Sequence, residues 1–211
     1  AELQRTESSE TELLWERGTF RLARRDVVAH RGPYRSWREG FAEHCFNHRR
    51  IAILGGGHCG LALSRTMREL DYRVTVVDTR TGLETMARNE AAHARVTEAT
   101  WEEGVAQVTA SSLTHWVVMT SHAQSDVEAL VSLASLPAPF KGLMGSVAKL
   151  HYIQRELESR GYAELWPNLT APVGLPMTSD TPAEIAISIA AQLLRLRPAL
   201  FPWERSATVL S

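Results

Sequence analysis

The sequence predicts an α/β fold: a Rossmann-like parallel sheet with helices on both faces, preceded by a small N-terminal extension. Three observations predict it. An apolar run at residues 51–54 enters a glycine turn with the spacing G-x-G-x-x-G, at Gly55, Gly57 and Gly60. A helical segment follows the turn, and a second apolar run then ends in Asp78. Strand, glycine turn, helix, strand and acidic residue stand in the order that a dinucleotide-type site requires.

The start of the chain differs from the rest. Short β-like pieces at residues 19–22 and 27–30 are separated by charged turns. We therefore expect three regions: a small N-terminal extension with short strands at residues 1–49, the Rossmann-like domain at residues 50–200 and a tail at residues 201–211.

Strands and helices alternate from residue 50 onward, which predicts a parallel sheet covered on both faces. The predicted strands are residues 51–54, 73–77, 94–97, 115–120 and 140–144. The predicted helices are residues 58–70, 81–88, 123–135, 146–159 and 182–197. The last helix begins with a capping box, with Thr181 at the N-cap, Pro182 at the first helical position and Glu184 at N3. Its broad apolar surface predicts burial against the sheet or against a second subunit.

The composition limits the class of protein. The chain has 211 residues and a net charge of −1, so no overall field attracts it to nucleic acid or to an anionic membrane. No apolar stretch approaches the ~20 residues of a membrane span, and the polar N-terminus does not resemble a signal peptide. Cys45 and Cys59 lie outside any C-x-x-C pair and are expected to be free thiols. These features predict a cytoplasmic protein without nucleic-acid or membrane partners.

Ligands of open α/β sheets bind at the carboxyl ends of the strands. Free N–H groups at the helix start after the glycine turn would hold phosphate oxygens there. Asp78, about 20 residues beyond the turn, is placed to accept hydrogen bonds from ribose hydroxyls. A second anion candidate runs into a helix through Gly145 and Ser146, with Lys149 one turn further; its alternative is an ordinary serine N-cap with a solvated lysine. The residues predicted to bind a ligand are Gly55, Gly57, His58, Cys59, Gly60, Asp78, Arg80, Thr120, Gly145, Ser146 and Lys149.

Several polar residues near this edge have two interpretations. The His58 ring would either reach a bound ligand or bond to backbone. Cys59 stands at the start of a helix, where the helix dipole would lower the pKa of its thiol. Its alternative interpretation is a small residue in a tight packing position. His122 and Asp126 would form a polar pair, and without further ligands nearby they do not predict a metal site. With no Ser-His-Asp order and no paired catalytic carboxylates, the sequence indicates a binding site more clearly than a catalytic one.

Five motifs in order resemble the xanthine dehydrogenase accessory family, XdhC/CoxI, over roughly residues 50–195. Motifs at matching spacing are far more specific than the glycine turn alone. The family pattern G-A-G-H-[VA]-G corresponds to residues 55–60, and V-V-D-x-R corresponds to residues 76–80. The pattern V-V-M-T with its following turn corresponds to residues 117–126, and G-x-x-G-S-x-x-K to residues 142–149. The last pattern, P-[IV]-G-L followed by T-P-x-E-I-A-x-S-I, corresponds to residues 172–175 and 181–189.

The resemblance implies a maturation factor and not a dehydrogenase. Such proteins are thought to bind the molybdenum cofactor, protect it while its terminal sulfur is installed, and deliver it to a molybdenum hydroxylase such as xanthine dehydrogenase. The implied ligand is molybdopterin, and the implied partners are the apo-hydroxylase and a cysteine desulfurase.

Two other functions are open at this point. An NAD(P)-dependent oxidoreductase would use the same turn, with Asp78 favouring NAD and Arg80 leaving room for a 2′-phosphate. A nucleotide-sensing or structural module would pair with itself through the helix at residues 182–197, and we expect a homodimer through that helix.

Overall fold

The computed structural model describes residues 11–24, 34–44, 49–108 and 114–200 of the chain. The predicted strand at residues 27–30, Cys45 and the predicted tail at residues 201–211 lie outside these ranges. The chain divides into two compact units. One is Arg49–Leu193, and the other contains the described strands before it and residues 194–200.

The first strands of the chain form a four-stranded antiparallel sheet. They are β1 (Thr11–Glu16), β2 (Thr19–Arg24), β3 (Tyr34–Trp37) and β4 (Gly40–His44), in the order β2-β1-β4-β3. A tight hairpin joins β1 to β2 at Arg17 and Gly18, whose φ angles of 50° and 84° match the twist of the flanking strands. Trp15 stacks on Phe41, with 5.9 Å between the ring centroids. The predicted strand at residues 19–22 is confirmed in β2, whereas β1, β3 and β4 were not predicted.

A five-stranded parallel sheet forms the centre of the second unit, in the order β7-β6-β5-β8-β9. Its strands are β5 (Arg50–Leu54), β6 (Arg73–Asp78), β7 (Ala94–Thr97), β8 (Thr114–Val118) and β9 (Phe140–Leu143). Its helices are α1 (His58–Glu69), α2 (Glu84–Ala87), α3 (Trp101–Ala106), α4 (Ala123–Ser132), α5 (Val147–Ser159), a 3-10 helix (Ala163–Asn168) and α6 (Pro182–Leu200), of which residues 182–193 belong to this unit. This architecture confirms the predicted Rossmann-like α/β class.

The central strand β5 buries side chains on both faces of the sheet. Alternate residues of a strand point to opposite sides. Ala52 and Leu54 belong to the core that α3, α4 and α5 share. Ile53 lies on the α1 side, where its Cγ2 atom is 3.5 Å from a Cβ placed on Gly60. Helices therefore cover both faces, as the alternation of strands and helices predicts.

The predicted elements differ from the structure chiefly at their ends. The predicted strand at residues 115–120 ends at Val118, so Thr120 lies in the loop after β8. The capping box of α6 is confirmed, because the Glu184 carboxylate accepts a hydrogen bond from the Thr181 N–H at 2.8 Å. The sequence did not predict α3 or the 3-10 helix. None of the described helices is both long enough and apolar enough to cross a membrane.

Candidate functional site

Four loops meet at the carboxyl edge of the parallel sheet. The glycine turn follows β5, Asp78 ends β6, Thr120 follows β8, and Ser146 precedes α5 after β9. Because β5 lies between β6 and β8, the loops of both neighbouring strands flank the glycine turn. The residues predicted to bind a ligand all lie at this edge or in the first turns of helices that start there.

Two glycines of the turn are required by the fold. Gly55 has a φ of 125°, which L side chains rarely adopt, and an added Cβ would collide with the Met119 carbonyl oxygen. A Cβ on Gly60 would collide with the Gly55 carbonyl oxygen, so this glycine lets α1 approach β5. A Cβ on Gly56 would overlap only the flexible Met86 side chain. Gly55 and Gly60 therefore define the shape of the turn with or without a ligand.

Gly57 is different. It is the N-cap of α1, with φ −71° and ψ −167°, an extended backbone that any residue adopts. Among the described residues, no atom lies within 4 Å of a Cβ placed there, and no side chain caps the first turn of α1. Serine or aspartate at an N-cap would satisfy a free N–H group of the helix. Glycine leaves these N–H groups open to an anion.

His58 and Cys59 follow in the first turn of α1. His58 is exposed and Cys59 is half-buried. Burial raises the pKa of the Cys59 thiol, which supports the interpretation of Cys59 as a small residue in a tight packing position. A thiol with a raised pKa is protonated at neutral pH and is a poor nucleophile. The described residues contain no group of three or more His, Cys, Asp or Glu side chains placed to hold a metal ion.

Asp78 and Arg80 form a closed ion pair on the β6 side of the turn. Asp78 Oδ1 accepts hydrogen bonds from the backbone N–H and from Nε of Arg80, both at 2.9 Å. Oδ2 accepts from Arg80 Nη2 and from the Gly56 N–H, both at 2.7 Å. Burial raises the pKa of Asp78, but the hydrogen bonds from Arg80 and Gly56 outweigh it and hold the pKa below its ordinary value. The residue predicted to accept from ribose is thus an ionised carboxylate already bonded within the protein.

Asp126 and Lys149 form a second ion pair, on the β8 side. Asp126 is fully buried, and its Oδ1 accepts from the Thr120 N–H at 2.9 Å and from the Thr120 hydroxyl at 2.7 Å. Lys149 Nζ contacts Oδ2. Burial raises the pKa of Asp126 by more than Lys149 and Thr120 lower it. Lys149 is therefore held by a buried partner and is not the solvated lysine of the alternative interpretation.

The remaining predicted residues take simpler positions. The exposed Ser146 hydroxyl caps α5 by accepting from the Lys149 N–H at 3.4 Å, so the serine N-cap interpretation is confirmed. A Cβ on Gly145 would lie 3.1 Å from Leu150 Cδ2. His122 is exposed at the N-cap of α4, so the predicted side-chain pair of His122 with Asp126 is wrong.

A separate cleft of about 480 Å³ runs along α3 and α4. The residues that line the cleft include Trp101, Glu128, Arg160 and Thr79, and Thr79 is the neighbour of Asp78 in the chain. None of the residues predicted to bind a ligand lines this cleft. The candidate site is the glycine turn with its two ion pairs, where the predicted binding residues meet.

Residues 51–193 match the family of the XdhC Rossmann domain. The chain belongs to the XdhC family. The XdhC match begins in β5 and ends in α6, so it contains the glycine turn and both ion pairs. XdhC is an accessory family, which supports an accessory role in general and confirms the resemblance seen in the motifs.

Two known proteins are similar to this XdhC chain. YqeB, an uncharacterized protein of Escherichia coli K12, is 31% identical over 151 residues, which are 70% of this chain and 27% of YqeB. The crystal structure of a xanthine dehydrogenase from Bacillus halodurans aligns with a TM-score of 0.65 at 23% identity, over 82% of this chain and 50% of that one. The second likeness shows the shared fold. The chain thus spans about a quarter of the length of YqeB and about half of the length of the Bacillus halodurans protein.

The sequence placed Thr120 and Lys149 among the predicted binding residues and gave Asp126 only as a partner of His122, whereas the structure joins Thr120 and Lys149 through Asp126. The available signal was the acidic residue in the first turn of α4. The contribution of Gly56 was also missed, although its N–H is one of the donors to Asp78.

Proposed function

We propose that this XdhC domain binds the molybdenum cofactor through its phosphate and that the protein acts in the cytoplasm as a maturation and insertion factor for a molybdenum hydroxylase such as xanthine dehydrogenase. Gly57 is the observation that carries the proposal. It stands at the N-cap of α1, where an added Cβ meets nothing within 4 Å among the described residues. A ligand that approaches the backbone closely accounts for a glycine that the fold itself does not need.

The other residues at this edge fit a phosphate or a diphosphate. The N-termini of α1 and α5 both lie here, and the positive ends of helix dipoles favour anions. The side chains of Arg80 and Lys149 are 41% and 21% exposed and lie on either side of the turn. When bound, the cofactor would supply the molybdenum and pterin chemistry that the client enzyme uses. The residues of this chain would bind and orient its phosphate.

The family supports the accessory part of the proposal. A protein that holds a cofactor for delivery needs a binding site and a partner, and it needs no general acid or nucleophile of its own. The raised pKa of the Cys59 thiol agrees with this, because the cysteine inside the turn is not activated as a nucleophile. We propose the apo-hydroxylase and a cysteine desulfurase as the partners.

The test is a titration of the purified protein with molybdopterin. We expect Gly57→Trp, which fills the space beside the helix start, to weaken binding by at least about tenfold, as expected when a buried anion contact is lost. Ser159→Trp places the same side chain on an exposed residue at the far end of α5 and should bind as the wild type does. Equal binding by the wild type and Gly57→Trp would remove the glycine turn as the site.

An NAD(P)-dependent oxidoreductase is the competing function, because it would use the same turn. The engaged oxygens of Asp78 weigh against it, since that carboxylate already accepts four hydrogen bonds from protein donors. Tight binding of NADH by a protein that does not bind molybdopterin would reverse the ranking.

We further propose a homodimer through α6. Ala186, Ile189 and Leu193 are buried on one side of this helix, whereas Ile187 is 55% exposed on the other. Ile187→Glu should therefore yield folded monomers by analytical ultracentrifugation. Glu69→Lys, an exposed change at the end of α1, is the control and should leave the association state unchanged.

A further inference from the structure

The β6 side of the site is closed to a ribose. A carboxylate offers about four lone-pair positions, two on each oxygen. In Asp78 each oxygen accepts two hydrogen bonds, at 2.7 to 2.9 Å, and the side chain is only 1% exposed. A ribose hydroxyl that donates to Asp78 must therefore displace a donor that is already in place.

The donors to Asp78 are of two kinds. The backbone N–H groups of Gly56 and of residue 80 belong to the turn and to the strand end, and they stay with the fold. The other two donors, Nε and Nη2, belong to the Arg80 side chain and occupy one position on each oxygen. That side chain is 41% exposed and lies between the carboxylate and solvent. The Arg80 side chain alone thus decides whether Asp78 is available to a ligand.

We propose that Arg80 is a specificity-determining residue, which occupies Asp78 and thereby excludes ligands anchored through a ribose diol. The glycine turn is reserved for phosphate-bearing ligands that place no ribose diol at the end of β6, such as a pterin phosphate. This inference rests on the proposed function in one respect, namely that the turn binds a phosphate. It goes beyond that function by naming what the site rejects and the side chain that rejects it.

The test compares ADP with 2′-deoxy-ADP by isothermal titration calorimetry, because the two probes differ only in one hydroxyl of the diol. The wild type should bind both within about twofold. Arg80→Ala frees one lone-pair position on each Asp78 oxygen and should bind ADP about tenfold more tightly than 2′-deoxy-ADP, the effect of one hydrogen bond to a charged group. The double variant Asp78→Asn/Arg80→Ala should lose this preference.

Two further variants keep the test decisive. Arg88→Ala removes an arginine that pairs with Glu84 on the surface and should behave as the wild type. If Arg80→Ala does not fold, Arg80→Lys replaces it, because lysine cannot bond both oxygens through a fork; we then expect a preference for ADP that is smaller than in Arg80→Ala.

A wild type that already prefers ADP by about tenfold would overturn the inference. So would an Arg80 variant that folds and shows no preference, or that binds neither probe. Failure of the proposed function has a different signature: equal binding of inorganic pyrophosphate, which has no ribose, by the wild type and Gly57→Trp.

Discussion

Two buried carboxylates flank the glycine turn, and their pKa values shift in opposite directions. Both side chains are almost inaccessible to solvent, at 1% and 0% exposed, but Asp126 lies deeper in the protein than Asp78. Their donors differ as well. Asp78 receives four hydrogen bonds, two of them from a guanidinium, and its pKa is lowered although burial raises it. Asp126 receives two from Thr120 and one ion-pair contact from Lys149, and burial prevails.

The comparison teaches that depth of burial and the number and geometry of donors together set the pKa of a buried carboxylate. A planar guanidinium bonds both carboxylate oxygens at once, whereas an ammonium acts as a point charge on one of them. The Asp78 side of the turn is therefore a stable, closed feature. On the other side of the turn, burial disfavours the charged form of Asp126, whose carboxyl group joins the loop after β8 to the first turn of α5.

Removing the more deeply held carboxylate should have the largest effect on stability. Asp126→Ala leaves the Lys149 ammonium and the Thr120 donors without their acceptor. We expect a loss of about 3 kcal/mol in the free energy of unfolding, or roughly 6–12 °C in Tm. Urea unfolding and circular dichroism measure both quantities. Glu128→Ala, an exposed acid on the same helix, should change stability by less than about 0.5 kcal/mol.

Removing the other carboxylate should cost less. Asp78→Ala also removes an acceptor from an arginine. The Arg80 side chain is 41% exposed, however, so in this variant its guanidinium can form hydrogen bonds with water. We expect about 2 kcal/mol from the lost charge-assisted hydrogen bonds. A larger loss for Asp78→Ala than for Asp126→Ala, measured by the same urea titration, would reverse the comparison.

The opposite pKa shifts should give opposite pH dependences. The pKa of Asp78 in the folded state lies below the ordinary 3.8, so its stabilisation is present above that value and is lost as pH falls through the folded pKa. The pKa of Asp126 is raised in the folded state, so its contribution is full below the ordinary 3.8 and is lost as pH rises through the folded pKa. Urea unfolding at several pH values should therefore show the stability advantage of the wild type over Asp78→Asn shrinking in acid. The advantage over Asp126→Asn should grow in acid, and parallel slopes would contradict the assigned shifts.

The smallest effect on stability should come from breaking an ion pair that lies away from the glycine turn. Arg88 and Glu84 form an exposed pair on α2, with side chains 70% and 72% exposed. Arg88→Ala should lower the free energy of unfolding by about 0.3 kcal/mol, since solvent screens such pairs. A loss of more than about 1 kcal/mol in the same assay would contradict this expectation. It would mean that the exposed pair stabilises the fold almost as much as the buried carboxylates Asp78 and Asp126 do.

Much of the fold followed from local patterns. The glycine spacing and the apolar run predicted β5, the turn and α1, because each depends on residues close in the chain. The capping box at Thr181 predicted the start of α6 in the same way. The same capping signal, with Thr100 at the N-cap and Glu103 at N3, marks the start of α3, a helix of only six residues. The strands β3 and β4 are also short, and the residues of one strand alone do not predict its antiparallel pairing with the other.

By itself, the sequence determined the Rossmann-like class, the glycine turn and the residues that stand at the carboxyl edge of the sheet. Spacing along one strand or one helix specifies these features. Only the tertiary structure decided which of those residues meet. Lys149 reaches Asp126 because α5 follows β9, the strand beside β8, and neither the register nor the burial that joins them can be read from residues so far apart. The closure of Asp78 by Arg80 was equally hidden, because two neighbouring residues form a buried pair only when the folded sheet removes water from around them.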